Sequence, residues 1–189
     1  MNVLLLGPPG SGKGTQAERM ASEYGLAHIE PGEIFRAAIA ARTPIGVQIQ
    51  PIVAVGELVP DSLTTELTRE RLSGLGPDEG FVLDGFPRTI AQAEHLDRIL
   101  DEIRRPLSIV FEFQLPDHVC MDRLLARARE GRIDDTRETI AQRLAIYHRK
   151  TEPIVERYAT KGLVVTIQAE RSVDEVWRQV RSILERHTG

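Results

Sequence analysis

The sequence predicts an α/β fold of three layers, a central parallel sheet of five strands flanked by helices, and three observations predict it. Five short apolar runs are continuous rather than alternating, as in strands buried on both faces. Segments long enough for helices separate them, and such alternation builds a parallel sheet with right-handed crossovers. A glycine-rich turn joins the first run to the first helical segment. A chain of 189 residues suits one domain with a core of its own, and 41% apolar against 28% charged residues excludes global disorder.

In chain order, Val3–Leu6 is the first strand and Leu26–Ile29 the second. Glu30 to Asp61 reads as helical but broken at Pro44, Pro51 and Pro60, and is longer than a crossover needs. It predicts a small inserted lobe over about residues 30–59. Gly74, Gly76, Pro77 and Gly80 mark a loop before the third strand, Phe81–Leu83. Pro87 suits the first turn of a helix that covers Thr89–Ile103. The fourth strand is Leu107–Phe113. Asp134 and Asp135 open a helix with negative charge at its positive end, and Ile140, Leu144 and Tyr147 share its face. The fifth strand is Leu163–Ile167. Ser172 and Glu175 form a capping box ahead of an apolar stripe of Val173, Val176, Trp177, Val180 and Leu184.

Composition narrows the function classes. A net charge of −4 implies no strongly basic surface and no nucleic-acid partner. The single cysteine, Cys120, excludes an internal disulfide framework and a cysteine-rich zinc site, and fits a reducing compartment. No basic leader precedes Gly7 and no apolar run is long enough to span a membrane, so a cytoplasmic chain is expected. Only three of the 24 basic residues are lysines: Lys13, Lys150 and Lys161. A lysine at a special place is therefore informative here, and a single arginine is not.

The sharpest signal is Gly7-Pro8-Pro9-Gly10-Ser11-Gly12-Lys13-Gly14-Thr15, between a buried strand and a helix. That is the context of a phosphate loop. Glycines let successive amides turn inward around an anion, and the helix adds its positive end. Lys13 supplies a mobile charge for the outer phosphates, and a hydroxyl can ligate Mg²⁺. The position after Lys13 is Gly14, with Thr15 one further on, a departure from the generic pattern.

Asp84 ends the third strand, where it would face the phosphate loop and hold Mg²⁺ through water. Gly85, Phe86, Pro87 and Arg88 follow, and Arg88 and Gln92 stand one helical turn apart. That spacing suits a mononucleotide, with Arg88 on its phosphate and Gln92 on its base. Gln exchanges two hydrogen bonds with adenine's edge.

With these motifs the chain resembles the nucleoside monophosphate kinases, and among them the adenylate kinases with a short lid. The resemblance runs through nearly the whole chain. It adds Gly131-Arg132-Ile133-Asp134-Asp135 followed by Arg143, Gly56 to Asp61, and Thr151-Glu152-Pro153 to the motifs above. It implies a P-loop kinase domain over residues 1–189 with a short lid at about 127–134. The implied reaction is reversible phosphoryl transfer from ATP with Mg²⁺ to AMP, by a monomer without zinc.

The resemblance also implies roles. Gly10, Ser11, Gly12, Lys13, Gly14 and Thr15 bind ATP phosphates, and Arg36 and Arg88 hold the AMP phosphate. Glu57, Leu58 and Val59 line the AMP base, and Gln92 reads it. Arg127, with Arg129 as its competitor, lies over ATP. Arg132 and Arg143 close on the group in transfer, with Lys13 and Arg88 as the other catalytic cations. Two departures stand out. Glu30-Pro31-Gly32-Glu33 replaces the usual Ser-Thr-Gly-Asp, so Pro31 brings neither hydroxyl nor backbone N–H to the acceptor and Glu30 adds a negative charge. Arg171 replaces a glycine where adenine packs, and must point away or stack on the base. A UMP/CMP kinase of the same fold and a regulator that has lost catalysis are the alternatives.

Overall fold

The computed structural model describes residues 1–129 and 135–188. Its strands are β1 (Asn2–Leu6), β2 (Ala27–Ile29), β3 (Phe81–Asp84), β4 (Ile109–Gln114) and β5 (Val164–Gln168). They form one parallel sheet of order β2-β3-β1-β4-β5. The five predicted strands are all present. Central β1 sets Val3 opposite both Val82 and Ile109. Its residues alternate between two cores: Val3 and Leu5 pack with Phe111, Met20 and Val180, and Leu4 and Leu6 with Leu83, Leu96 and Tyr158. Both faces of the strand are buried, which is why its sequence is continuously apolar.

The helices are α1 (Lys13–Tyr24), α2 (Pro31–Ala40), α3 (Pro44–Ala54), α4 (Asp61–Ser73) and α5 (Ile90–Glu102). After them come α6 (Asp117–Arg129), α7 (Arg137–Ile146), α8 (Pro153–Ala159) and α9 (Val173–Thr188), with a π-helical turn at Tyr147–Thr151. Side chains of α1, α6, α7 and α9 build the first core, and those of α4, α5 and α8 the second. A third cluster, Phe35, Ile49 and Val59 with Ile39, Ile45, Val53, Leu63 and Leu67, ties α2 and α3 to the start of α4. Among the described residues, no helix is long and apolar enough to cross a membrane.

Four local expectations are corrected. Pro51 lies inside α3 rather than ending it. It is exposed, where water can replace the backbone bond that proline lacks. Pro87 stands ahead of α5, whose cap is Thr89, accepting from the Gln92 amide at 3.1 Å. Asp135 stands ahead of α7, which is closed by a capping box of Thr136 and Thr139, while Asp134 lies outside the described residues. Val173 is exposed, so the buried stripe of α9 begins at Val176. The capping box of Ser172 and Glu175 is formed, with Ser172 N–H donating to Glu175 Oε2 at 3.1 Å.

Candidate active site

The site lies beyond the carboxyl ends of β1 and β3, where an open parallel sheet binds its ligands. β1 delivers the chain into Gly7–Gly12, which turns back into α1. Gly10 and Gly12 have φ of 84° and 87°, a conformation that glycine alone adopts without strain. A Cβ on Gly10 would also stand 3.0 Å from the Cys120 carbonyl oxygen and the Leu124 side chain. Packing on α6 therefore fixes the loop.

Lys13 Nζ donates to the carbonyls of Gly7 and Pro8, both at 2.8 Å, and to Ser11 Oγ at 3.2 Å. Burial pushes its ammonium below the ordinary lysine value, against the pull of Asp84. Asp84 is 6% exposed, and burial raises its carboxyl above the usual carboxylate value in spite of Lys13. It faces the first turn of α1, with Oδ2 3.5 Å from where a Cβ on Gly14 would be. His28, Glu30 and Asp84 can each bring one ligand atom within 4.8 Å of the others. Thr15 adds a hydroxyl on the cleft wall. A buried carboxylate and a hydroxyl lining the same cleft supply hard oxygen donors that suit Mg²⁺.

A cleft of about 480 Å³ runs from this loop to α2, within the range of ligand pockets. At its far end Arg88 Nε donates to the Gly85 carbonyl at 2.7 Å, and Thr151 Oγ1 donates to the Arg88 carbonyl at 2.9 Å. The π-helical turn thus reaches across to hold the Arg88 backbone. Arg36 Nη2 meets Glu30 Oε1 at 2.6 Å. Pro31 is the first residue of α2, a place where proline's missing N–H costs nothing, and it lines the cleft.

Gln92 is 2% exposed. Its Nε2 donates to Asp61 Oδ1 and its Oε1 accepts from Arg88 N–H, both at 2.7 Å. Each end of the amide keeps a second bonding position. Glu57, Leu58 and Val59 form the adjoining wall, and Gln142 of α7 donates to Glu57 Oε1 at 2.6 Å.

The other wall carries a charge hub. Asp135 has a fully buried carboxylate. Its Oδ2 accepts from Arg127 Nε at 2.8 Å, and its Oδ1 accepts from Arg143 Nη1 at 2.6 Å. One carboxylate therefore aims two arginines.

The structure brings most of the expected residues to one cleft: Gly10, Gly12, Lys13, Gly14 and Thr15 on the loop side, and Pro31, Arg36, Asp84, Gly85, Pro87, Arg88 and Gln92 opposite, with Arg127 and Arg143 beside them. Ser11 stays within the loop, its buried hydroxyl accepting from Lys13 Nζ. Two lie elsewhere: Phe86 belongs to the second core, and Arg171 is exposed on the turn before α9. Arg132 and the rest of 130–134 lie outside the described residues. Sequence reasoning missed Arg123, which lines the cleft and donates to the Glu170 carbonyl at 3.3 Å. Its signal was its place one turn before Arg127 on α6. It also missed Asp61 and Asp135 as the carboxylates that orient Gln92 and the two arginines.

Charge compensation around phosphates is the chemistry such a cleft offers. A family model described as adenylate kinase matches residues 5–163. An adenylate kinase of Thermus thermophilus is 44% identical over 183 residues, covering 96% of each chain. One of Micrococcus luteus is 43% identical over 175 residues, covering 92% of this chain and 85% of its own. One of Cyanothece sp. is 41% identical over 188 residues, covering 99% and 96%. The chain belongs to the adenylate kinase family.

Proposed function

We propose that the chain transfers the terminal phosphoryl group of ATP to AMP, reversibly, giving two ADP. One observation carries this reading: a single cleft holds the phosphate loop at one end and the pair Arg36 and Arg88, with Gln92, at the other. Two phosphate sites facing each other in one small chain suit direct transfer between nucleotides.

The transfer passes through a loose, in-line transition state, so positioning and charge neutralisation dominate and no general base is assigned. The amides of Gly10 to Thr15 cradle the donor phosphates. Lys13 leaves its loop carbonyls for the outer phosphates. Thr15, and Asp84 through water, would hold Mg²⁺, which would supply charge compensation for the donor phosphates. Arg36 and Arg88 hold the acceptor phosphate, and Glu57 to Val59 with Gln92 seat the base. Arg127 lies along the donor, and Arg143, aimed by Asp135, faces the group in transfer. Residues 30–59, whose apolar side chains pack against the start of α4, act as the acceptor lobe. The reading extends to a monomer acting on free nucleotides in the cytoplasm, where a single cysteine fits a reducing compartment.

A coupled assay with ATP and each of AMP, CMP, UMP and GMP tests the proposal. ADP formation that is fastest with AMP is expected. Preference for CMP or UMP, or no turnover with any monophosphate, would overturn it.

A further inference from the structure

Glu30 occupies the position that precedes the first turn of α2, yet its side chain caps nothing. Instead its Oε1 takes a hydrogen bond of 2.6 Å from Arg36 Nη2. The two side chains are 22% and 30% exposed, so water screens the pair only in part. Arg88 belongs to the same cluster. A side-chain carbon on Gly32 would lie 3.2 Å from Arg36 Nη1, 3.7 Å from Glu30 Oε1 and 3.9 Å from Arg88 Nη2. Two guanidinium groups and one carboxylate thus converge above a glycine that leaves the space between them open.

Carboxylates and phosphates use the same donors of an arginine fork, in the same planar geometry. An acceptor phosphate that takes the Nη2 donor of Arg36 must displace Glu30 from it, and then sits beside the freed negative charge. We infer that Glu30 is a resident competitor for the acceptor phosphate, holding Arg36 until a nucleoside monophosphate displaces it, so that it sets acceptor affinity. The inference rests on the reading of Arg36 and Arg88 as acceptor-phosphate ligands. It differs in sign from a purely structural role. If Glu30 only held Arg36 in place for the phosphate, its removal would weaken acceptor binding.

Titration calorimetry with AMP and initial-rate kinetics on the full chain separate these roles, using Glu30→Gln, Glu30→Ser, Arg36→Ala and the double variant Glu30→Gln/Arg36→Ala. Both Glu30 variants are expected to bind AMP about fivefold more tightly than wild type, the worth of a partly screened ion pair. The fall in KM for AMP is to exceed any change in kcat. Arg36→Ala is expected to weaken AMP, and adding Glu30→Gln to it is to restore nothing. Weaker or unchanged AMP binding in both Glu30 variants, with Arg36→Ala still impaired, overturns the competitor while leaving the acceptor site in place. Tightening that persists without Arg36 also overturns it, since the charge then acts on the ligand directly. AMP affinity indifferent to Arg36→Ala removes the acceptor-site reading itself, and the inference with it.

Discussion

Replacing Asp135 by asparagine keeps the shape of the side chain and removes the charge that two arginines share. The carboxylate is fully buried, and Arg127 and Arg143 are 39% and 17% exposed. Asparagine retains one acceptor oxygen and can keep one arginine, and its amide then faces the other guanidinium donor to donor. Breaking a fully buried pair costs about 3–5 kcal/mol. The two arginines keep some contact with water, so roughly half of that, ~2 kcal/mol, is the cost here. For a chain of this length that corresponds to a Tm about 4–8 °C lower. Turnover is expected to fall on the order of 10- to 100-fold, because Arg143 loses its aim at the group in transfer. Thermal unfolding followed by circular dichroism reads the first effect and the coupled assay the second. If the arginine is the route, Asp135→Asn adds little further loss of turnover to Arg143→Ala. A Tm within a degree or so of wild type with turnover intact, or a full additional loss on top of Arg143→Ala, would refute the reasoning.

Three further outcomes are expected. Lys13→Ala lowers turnover by about 10²–10³, the scale for losing one charged donor, without unfolding the chain; near-normal activity would contradict its role. Burial raises the Asp84 carboxyl, so the folded chain holds that proton more tightly than the unfolded chain, and stability is lost as pH rises through the interval between the unfolded and folded values. Asp84→Asn, which cannot ionise, is therefore expected to melt above wild type at neutral pH, with the gap closing below the ordinary carboxylate range, while its Mg²⁺-supported turnover falls; a lower melting point at neutral pH counts against the assignment. Gly10→Ala forces a side chain into a left-handed backbone against the Cys120 carbonyl, and is expected to cost about 2 kcal/mol of stability together with ATP affinity. An ATP titration that matched wild type would show that the loop tolerates the strain.

The sheet was legible because its strands are buried on both faces, and Val3 to Leu6 show that burial in every residue. The phosphate loop was legible because the residues that make it are adjacent in sequence. The charge pairs were not. Asp135 works eight residues from each of its arginines, and Asp61 reaches Gln92 across 31 positions, separations that no local pattern marks. Arginine is so abundant here that Arg123 could not be told from its neighbours. Asp135 was misassigned for a physical reason as well: an acid just before a helix normally complements the helix dipole, and here Thr136 and Thr139 already satisfy that end. Pro87 misled in the same way, since proline suits a first turn and Thr89 had taken the cap.

The placing of the carboxylates explains how so many cations share one cleft. Left to themselves, Lys13, Arg36, Arg88, Arg127 and Arg143 would repel one another. Three acids answer them in three different ways. Asp84 acts on Lys13 through space, and burial leaves its own charge dearly held. Asp135 lies behind Arg127 and Arg143 with no exposed surface, so a phosphate can bind the arginines from the front while the acid stays bound at the back. Glu30 is the exception, because it stands among the acceptor-side guanidinium groups rather than behind them. An acid behind an arginine orients it at no cost to the ligand, whereas an acid in front must give way. Comparison of Asp135→Asn with Glu30→Gln therefore tests a single electrostatic rule from both sides: loss of turnover when the supporting acid is removed, and tighter acceptor binding when the competing one is.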